Sequence, residues 1–416
     1  MHPYLIVLLV FLIAVFCFEA WAEWVNQRAM SPQLPEEFAD VFDSARYQRT
    51  QTYSQAQSRR GLVHSAVNLA TLILFILLGG FPWLQACAAG FGGSETVTGL
   101  IFLAIFGVGA DLLNLPFALY STFGLEARFG FNQTTWTTFI LDKCKEYLLS
   151  LIIGLPLLAG VLIFLRTYPV WGWVWAWLCV SAGLVIVQYV APRWILPWFN
   201  SFSPLEEGDL RQGIEDIVHK SGFDLGDISV MDGSKRSKKS NAFFTGLGRT
   251  KRIALFDTLI QGHTPQEVVA VLAHELGHAA LGHVRTNTIL ALGKLGILFA
   301  LLAMFISHTP IFTAFGLQQP SVHAGLIFFA LFLTPISYVL SMGMNALSRS
   351  FEYAADAYAA RLTGRPQDLI MALKKLSTDN LVNLTPHRVY VLLHSSHPPI
   401  LKRIQALRRM QEDRCR

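Results

Sequence analysis

Residues 264–278 read TPQEVVAVLAHELGH, and this stretch decides how the chain is interpreted. Thr264 is a residue type favoured at a helix N-cap, and Pro265 suits the first helical position. Glu267 completes the pattern of a capping box, in which the side chains at the N-cap and at the third position bond reciprocally to the backbone. A helix is therefore predicted to begin about ten residues before His274.

Two histidines of this helix have the spacing of metal ligands. His274 and His278 are four residues apart, so their imidazoles lie on one face, one turn apart, and can bind one zinc ion. Glu275 follows the first ligand and can accept a proton from the attacking water. The surrounding residues are apolar, so these polar groups are predicted to be buried. Burial of polar side chains without partners is costly, so a chance motif is disfavoured.

The third ligand has to come from outside this helix. His283 lies five residues beyond His278, and at about 100° per residue it turns away from the ligand face of a continuous helix. A better candidate is Glu352, which completes a His₂Glu site with a fourth position open for water. Asp356 shares a helix face with Glu352 and is expected to orient a ligand histidine or donate a proton, unless it is an exposed helix carboxylate.

The composition indicates a membrane protein. The chain has 416 residues, of which 53% are hydrophobic and 15% charged, whereas soluble domains carry about 25% charged residues. The net charge of +5 is modest, and no interleaved basic and aromatic surface suggests nucleic-acid binding. Seven apolar stretches are long enough to span a bilayer: 3–22, 61–84, 97–121, 147–166, 171–192, 286–307 and 322–346.

Loop charges give an orientation. Lys and Arg occur in the loops at 23–60 and 122–146, in 193–285 and after 346, whereas 85–96, 167–170 and 308–321 contain none. The positive-inside rule then places the N-terminus outside and the C-terminus in the cytoplasm. The first stretch lacks a basic n-region, so we expect a retained helix rather than a signal peptide.

The same orientation brings the candidate ligands together. Spans six and seven form a hairpin, so 274–278 and 352–356 both return to the cytoplasmic face of the membrane. The compact loops favour a bacterial inner membrane, or the endoplasmic reticulum if the source is eukaryotic. We predict a membrane domain at 1–202 with five helices. A metallopeptidase domain at 203–416 follows, with two further spans and short strands at Asp227–Met231 and Arg252–Phe256.

At these residues the chain resembles the type I CAAX prenyl endopeptidases, a family of membrane gluzincins. The resemblance covers nearly the whole chain and is far more specific than the five-residue metal motif. The matching segments are His274-Glu-Leu-Gly-His278, Glu352-Tyr-Ala-Ala-Asp356, Leu125-Glu-Ala-Arg-Phe-Gly-Phe-Asn132, Pro197-Trp-Phe-Asn200, Ser240-Asn-Ala-Phe-Phe244, Arg252-Ile-Ala-Leu-Phe-Asp-Thr-Leu259 and Ser396-His-Pro398, with Arg403 beyond.

The resemblance implies a mostly α-helical polytopic fold. Seven helices would surround an intramembrane chamber, with a small α+β zincin-like catalytic domain at the cytoplasmic side. It implies one Zn²⁺ per chain and removal of C-terminal tripeptides from prenylated CaaX substrates. Asn241, Ala242 and Phe243 would form an edge strand that pairs with extended substrate, unless they form an ordinary hairpin. His397 would stabilise the oxyanion, although His387 and His394 lie near it in sequence. Arg403 would orient Glu352 or bind a substrate carboxylate.

Two alternatives remain at this level. The first is a quality-control membrane protease that has the same catalytic groups but does not recognise a prenyl group. The second is a seven-helix transporter or receptor with a structural zinc ion. Structural zinc sites usually have four protein ligands, often cysteines, whereas this chain offers three ligands and a general base. In both peptidase hypotheses the partners are peptide or protein substrates and membrane lipid.

Overall fold

The computed structural model describes residues 2–223, 227–245 and 252–415, and helices dominate it. Within those residues, seven helical segments are long and apolar enough to cross a membrane. They are Pro3–Ala29, Ser44–Leu77, Glu95–Glu126, Trp136–Thr167, Gly172–Phe199, His283–Ile306 and Val322–Thr363. The seven spans predicted from the sequence are therefore confirmed in number and order.

The amino-terminal half is built from helices joined by short turns. Their bounds are α1 Pro3–Ala29, α2 Ser44–Leu77, α3 Gly80–Gly90, α4 Glu95–Leu119, α5 Trp136–Leu149, α6 Leu155–Thr167, α7 Gly172–Val190 and α8 Leu196–Phe199. Three π-helical segments, Tyr120–Glu126, Ser150–Gly154 and Ala191–Ile195, continue α4, join α5 to α6 and join α7 to α8. Each of these pairs therefore runs as one longer helical segment.

The second predicted span differs from the observed helices at both of its ends. The second was predicted at 61–84, but the chain turns after Leu77, and the apolar residues 80–84 begin the separate helix α3. The polar half of α2 was not predicted to be helical; it begins after Asp43, whose side chain accepts a hydrogen bond of 2.6 Å from the Arg46 amide. Asp43 thus supplies an N-cap that an apolar search does not detect.

The first apolar stretch is an integral part of the membrane bundle. Leu5, Leu8, Leu9 and Leu12 of α1 are buried in one cluster with large aromatic residues from other helices. Phe81 lies edge-on to Phe328, with ring centroids 4.8 Å apart. Such aromatic pairs hold bundle helices together through contacts beyond simple burial.

The carboxyl-terminal half contains a small sheet and the remaining helices. The strands are β1 Phe202–Pro204, β2 Asp227–Met231, β3 Ala242–Thr245 and β4 Arg252–Phe256. Their order is β1-β2-β4-β3, with β2 and β4 parallel and the other two pairs antiparallel. The predicted strands at 227–231 and 252–256 are confirmed, and β3 lies at one edge of the sheet.

Nine helices follow or interrupt this sheet in the described part of the chain. They are α9 Asp209–Ser221, α10 Asp257–Gly262, α11 Pro265–Ala280, α12 His283–Ile306, α13 Thr309–Ala314, α14 Val322–Thr363, α15 Pro366–Asp379, α16 Arg388–His394 and α17 Ile400–Cys415. Residues of the sheet, α9, α11, α15 and α17 share a second buried core, which includes Ile214, Ile253, Leu272, Ile370 and Ile404. The seventh predicted span continues without a break to Thr363, so 352–356 lies on the same helix as that span.

Candidate metal centre

The helix that carries the histidine pair begins as its sequence predicts. Thr264 is the N-cap of α11, and its hydroxyl accepts from the Glu267 amide. The Glu267 carboxylate accepts in return from the Thr264 amide at 2.9 Å and also pairs with Lys375 at 2.8 Å. The capping box is therefore present, and it fixes the start of α11 against α15.

A glycine lets α11 approach the distal helix α14 closely. A Cβ atom added at Gly277 would lie 3.1 Å from both the Cα and the carbonyl oxygen of Ala355. That separation is tighter than nine in ten real Cβ contacts, so a side chain at this position would push the two backbones apart by a few tenths of an ångström. Gly277 lies beside His278, and Ala355 lies between Glu352 and Asp356. The contact therefore sets the distance between the two halves of the site.

Three candidate ligands from the two helices converge. The Nε2 atoms of His274 and His278 are 3.2 Å apart. Glu352 places Oε2 3.5 Å from Nε2 of His274 and Oε1 3.3 Å from Nε2 of His278. The structure thus brings together the residues that the sequence singles out, although 73 residues separate His278 from Glu352.

These separations fit a divalent metal ion. Nitrogen and oxygen ligands bind zinc at about 2.0–2.1 Å in a tetrahedral arrangement, which places neighbouring donor atoms about 3.3–3.4 Å apart. Buried Oε2 of Glu352 has no hydrogen bond of acceptable geometry, even though nitrogens of His397 and Arg403 lie 2.9 and 3.1 Å away. A buried carboxylate oxygen without a hydrogen bond is costly, and a bound cation would satisfy it.

Asp356 and Arg403 form a buried layer behind His274. Oδ1 of Asp356 lies 2.9 Å from Nδ1 of His274. Arg403 donates to both carboxylate oxygens of Asp356, at 2.8 and 2.6 Å. Asp356 and Arg403 are 2% and 7% exposed, so Asp356 is no exposed helix carboxylate. Arg403 also lies 3.1 Å from Oε2 of Glu352. Its contacts are consistent with the predicted role of orienting Glu352, and its two hydrogen bonds to Asp356 were not predicted.

The electrostatics of this layer favour positive charge at the site. Burial lowers the pKa of His274, but the adjacent carboxylates of Asp356 and Glu352 outweigh that effect and raise the pKa to about 9. Burial also opposes the charge on Arg403. Asp356, Glu352 and Glu275 more than compensate and raise the pKa of Arg403. Carboxylates therefore outweigh desolvation here, as expected where a cation is to be held.

His283 contacts the site in a way that the sequence argument missed. Its Nδ1 lies 3.0 Å from Nδ1 of His278, and its ring stacks on Phe351 at 4.1 Å between centroids. The helical repeat does not continue to His283, because α11 ends at Ala280 and Gly282 has φ of 71°. The break redirects the chain, so His283 contacts His278 without joining the three candidate ligands.

Of the three carboxyl-terminal histidines, His397 is the one that reaches the centre. Its Nδ1 lies 2.9 Å from Oε2 of Glu352. His387 instead accepts from the Val389 amide as the N-cap of α16. The ring of His394 lies 4.8 Å from that of Tyr390. The side chain of His397 is also 67% exposed, so it can contact a peptide as well as Glu352.

Glu275 follows His274 on α11 and is partly buried, in contrast to the fully buried residues around it. Its carboxylate contributes to the field that stabilises the Arg403 cation. Its role as a general base stays a prediction from the sequence motif.

The predicted substrate strand is the edge of the sheet nearest α11. Ala242 and Phe243 belong to β3, which pairs with β4 on one side. Its other edge has no strand partner among the described residues. Asn241 immediately precedes β3; its carbonyl accepts from the Phe256 amide at 3.1 Å and its side chain is exposed. β3 is therefore an edge strand that forms an antiparallel hairpin pair with β4, and Asn241 lies just before its first residue. Its pairing with a substrate stays a prediction.

Asn241, His397 and Arg403 line a single large cavity. Its volume is about 1150 Å³, and its walls come from α1, α2, the segment before β3, and the residues from Tyr390 to Arg403. The cavity runs from the helices of the membrane domain to the candidate metal centre. A space of this size can hold several residues of a peptide.

Comparison with known proteins identifies the family to which the chain belongs. Residues 25–201 match the model of the five-helix amino-terminal domain of CAAX prenyl proteases, and residues 204–411 match peptidase family M48. The chain belongs to peptidase family M48. Membership implies a metal-dependent peptidase, so the enzyme-class prediction is confirmed over the alternative of a transporter or receptor.

The similarity to individual relatives covers nearly the whole chain. A CAAX prenyl protease 1 homolog of Oryza sativa subsp. japonica is 35% identical, with 97% of each chain covered. CAAX prenyl protease 1 of Saccharomyces cerevisiae is 34% identical, with 97% of this chain and 95% of the relative covered. The crystal structure of S. mikatae Ste24p matches with a TM-score of 0.93 at 32% identity, covering 98% and 99% of the two chains.

These matches confirm the predicted fold class and family. The M48 chain is a mostly helical, multi-pass membrane metalloendopeptidase with seven spans and a chamber. The assignment of His274, His278 and Glu352 as metal ligands stays a prediction, which their geometry supports. The supporting contact of His283 and the spacing role of Gly277 were not predicted from the sequence. A glycine between His274 and His278 is the sequence signal that could have revealed the spacing role of Gly277.

Proposed function

We propose that this M48 peptidase binds one Zn²⁺ per chain and cleaves peptide bonds near the C-terminus of prenylated CaaX-type substrates. The observation that carries the proposal is the set of donor atoms of His274, His278 and Glu352, 3.2–3.5 Å apart beside a chamber. The free edge of β3 supports it, since it offers a place for an extended peptide. The names of the relatives in rice and yeast support the CaaX assignment.

The proposed mechanism assigns a role to each residue around the centre. A divalent ion held by the two histidines and Glu352 supplies a Lewis acid for the scissile carbonyl. Glu275 accepts a proton from the attacking water and returns it to the leaving amine. His397 donates a hydrogen bond to the developing oxyanion. Asp356 accepts from Nδ1–H of His274, which leaves Nε2 as the ligand atom, and Arg403 holds Asp356 in position.

Substrate binding follows from the edge strand. The backbone of Asn241, Ala242 and Phe243 pairs with an extended peptide and positions its scissile bond at the centre. Main-chain pairing of this kind gives affinity without strong dependence on side chains. The prenyl group has access to the apolar membrane domain that surrounds the chamber.

We also propose a domain division and an orientation. The division places a membrane domain at 1–202 and a peptidase domain at 203–416; the change from one family match to the next between residues 201 and 204 supports it. The N-terminus lies outside, and the centre and C-terminus lie on the cytoplasmic side of a bacterial inner membrane, or of the endoplasmic reticulum in a eukaryote. Labelling of single cysteines, introduced into the turns at 91–94 and 315–321 of a variant without the five native cysteines, tests this orientation, because both should be reached from outside only.

The decisive experiment measures tripeptide release from a farnesylated peptide and from its unmodified form. The zinc-loaded wild type should release the tripeptide from the farnesylated peptide. Glu275→Gln should retain zinc and lose about 10²- to 10⁴-fold in kcat. Equal cleavage of the two peptides would favour the quality-control protease that needs no prenyl group. Absence of cleavage of either peptide by the zinc-loaded enzyme would overturn the proposed function.

A further inference from the structure

The chamber contains three cationic side chains other than histidine among its described lining residues. They are Arg60 on α2, Lys239 before β3 and Arg403 on α17. Arg403 is engaged by Asp356 and Glu352. Lys239 lies 2.9 Å from the Glu126 carboxylate and 2.7 Å from the Tyr53 hydroxyl, and it also covers the ring of Phe131. Two of the three cations therefore already have carboxylate partners.

Arg60 differs from the other two. Its Nε atom is buried and has no hydrogen-bond partner, and no carboxylate of the described residues lies within ion-pair distance of its guanidinium. A partly buried guanidinium without a carboxylate is costly, because charged groups are retained away from water only when they are paired. Its planar donors match a carboxylate bidentately. The Nε–H of Arg60 is therefore a buried donor at the chamber wall that a carboxylate would satisfy.

The position of Arg60 relates it to the substrate strand. Tyr53, Gln57 and Arg60 all line the chamber from α2, and seven residues of helix separate Tyr53 from Arg60 by about 10 Å. The Tyr53 hydroxyl contacts Lys239, which is two residues before Asn241. A continuous wall thus leads from the start of β3, past Lys239 and Tyr53, to Arg60.

A peptide bound to β3 directs its C-terminus along this wall. Antiparallel pairing places the carboxyl-terminal residues of the peptide beside the residues that precede Ala242, and Ser240 and Lys239 are among those that line the chamber. The opposite direction would require the whole body of a substrate protein to lie in the chamber, whereas a short C-terminal tail can end there. Three residues beyond the scissile bond extend about 10 Å and end in a carboxylate.

We propose that Arg60 binds the C-terminal carboxylate of the peptide substrate and so restricts cleavage to bonds near a free C-terminus. The inference rests on the proposed function and adds the residue, Arg60, that selects bonds at a fixed distance from the C-terminus. The chemistry recognised is a carboxylate at the end of an extended peptide of about three residues beyond the scissile bond. Internal segments of a protein lack this group, and the site discriminates against them.

The test compares two farnesylated peptides of identical sequence, one with a free C-terminal carboxylate and one with a C-terminal amide. The zinc-loaded wild type should show a kcat/KM about 10- to 100-fold higher on the acid, the range of one charge-assisted contact. Arg60→Gln should lose this preference by slowing cleavage of the acid only. Arg60→Lys, which keeps the charge without the planar fork, should keep part of it and provides a second variant if Arg60→Gln is not recovered.

The matched control is Arg59→Gln, which removes a neighbouring exposed arginine that does not line the chamber; it should preserve the preference. Equal cleavage of acid and amide by the wild type would overturn the inference while leaving the peptidase assignment intact. So would an equal loss on both peptides in both Arg60 variants, which would indicate a structural role. Loss of the preference in Lys239→Gln but not in Arg60→Gln would assign the carboxylate to Lys239 instead. Failure of the wild type on both peptides would count against the proposed function itself.

Discussion

Oδ1 of Asp356 lies 2.9 Å from Nδ1 of His274, and the same carboxylate receives two hydrogen bonds from Arg403. The first contact fixes which ring nitrogen of His274 carries hydrogen and leaves Nε2 facing Glu352. The second contact fixes the carboxylate itself, because both of its oxygens accept from one rigid guanidinium. His274, a candidate ligand, is thus oriented through a chain of two buried groups that lie behind its ring.

The first prediction concerns the replacement Asp356→Asn. An amide group cannot accept from Arg403 at both positions and from His274 at the same time, since one of its ends is a donor. Loss of such a supporting contact costs about 10- to 100-fold in metal affinity or activity. Zinc content after dialysis against graded chelator, together with kcat, measures both effects.

Glu215→Gln is the control for this replacement, because Glu215 is a surface carboxylate on α9, away from the centre. It should leave zinc content and kcat unchanged. Wild-type zinc affinity and turnover in Asp356→Asn would contradict the role given to the Asp356–Arg403 pair.

The second prediction concerns Gly277, where α11 and α14 meet. A Cβ in Gly277→Ala would approach the Ala355 backbone to 3.1 Å, so the helices must separate by a few tenths of an ångström. Overpacking of this kind costs about 1–3 kcal/mol, and a shift beyond about 0.2 Å exceeds the tolerance of ligand distances. We expect weaker zinc binding and a lower melting temperature.

Gly293→Ala provides the same chemical change where a Cβ meets no atom within 4 Å. Gly293 lies on α12, so its replacement tests the effect of an added methyl group on a neighbouring helix. Equal zinc affinity in the two alanine variants would show that the close approach of α11 and α14 does not set the ligand spacing.

The sequence predicts those parts of the site that depend on periodicity within one helix. The His274–His278 pair and the pairing of Glu352 with Asp356 follow from the four-residue repeat. Their convergence follows from two spans that form a hairpin. His283 was not predicted to contact the site, because the helical repeat was extended past residue 280. A left-handed glycine at 282 interrupts that repeat. Contacts made across a helix break cannot be obtained from helical spacing.

The fold shows the same limit. Long apolar runs predict the seven spans because the bilayer requires about 20 apolar residues. The polar half of α2 was missed because its faces contact soluble parts of the protein rather than lipid. Tyr47 and Tyr53 are buried there, and Tyr53 packs with Phe129 and Phe131 from the loop after α4. Pairing across such distances leaves no local pattern in the sequence.

The third prediction concerns the segment that leads into the substrate strand. The side chain of Asn380 accepts from the Ser240 amide and donates to the Ser240 carbonyl, both at 3.2 Å. This reciprocal pair holds the residue just before Asn241 as a neighbouring strand would. Asn380→Ala removes both bonds and should raise KM about 5-fold, as expected for about 1 kcal/mol of lost positioning, with kcat nearly unchanged.

Asn380→Asp refines this test, because it keeps the acceptor for the Ser240 amide and loses the donor. It should fall between the wild type and Asn380→Ala in KM. Asn383→Ala is the control, since the Asn383 side chain accepts from the Thr385 amide at 3.0 Å and does not contact the strand. A fall in kcat with unchanged KM would show that Asn380 acts on the metal centre rather than on peptide binding.

The fourth prediction concerns pH and a buried ion pair that ties the segment after α1 to the peptidase helices. Nζ of Lys374, a residue 3% exposed, lies 2.9 Å from Glu37, and Arg408 contacts the same oxygen at 2.6 Å. Burial raises the pKa of Glu37, but these two cations outweigh it and hold that pKa below 4.5.

A lowered pKa in the folded protein means that this contribution to stability is complete above about pH 4.5 and declines as the pH falls through the folded value. Glu37→Gln should therefore melt below the wild type at neutral pH, by about 2–4 °C for an interaction of about 1 kcal/mol. The difference should shrink below pH ~4.5, because the wild-type carboxyl then becomes protonated as well. Melting of both proteins in detergent across this range measures the effect, and Glu36→Gln, which changes the exposed neighbour, should show no such dependence. A difference that stays constant with pH would mean that Glu37 stabilises the fold through packing and not through its charge.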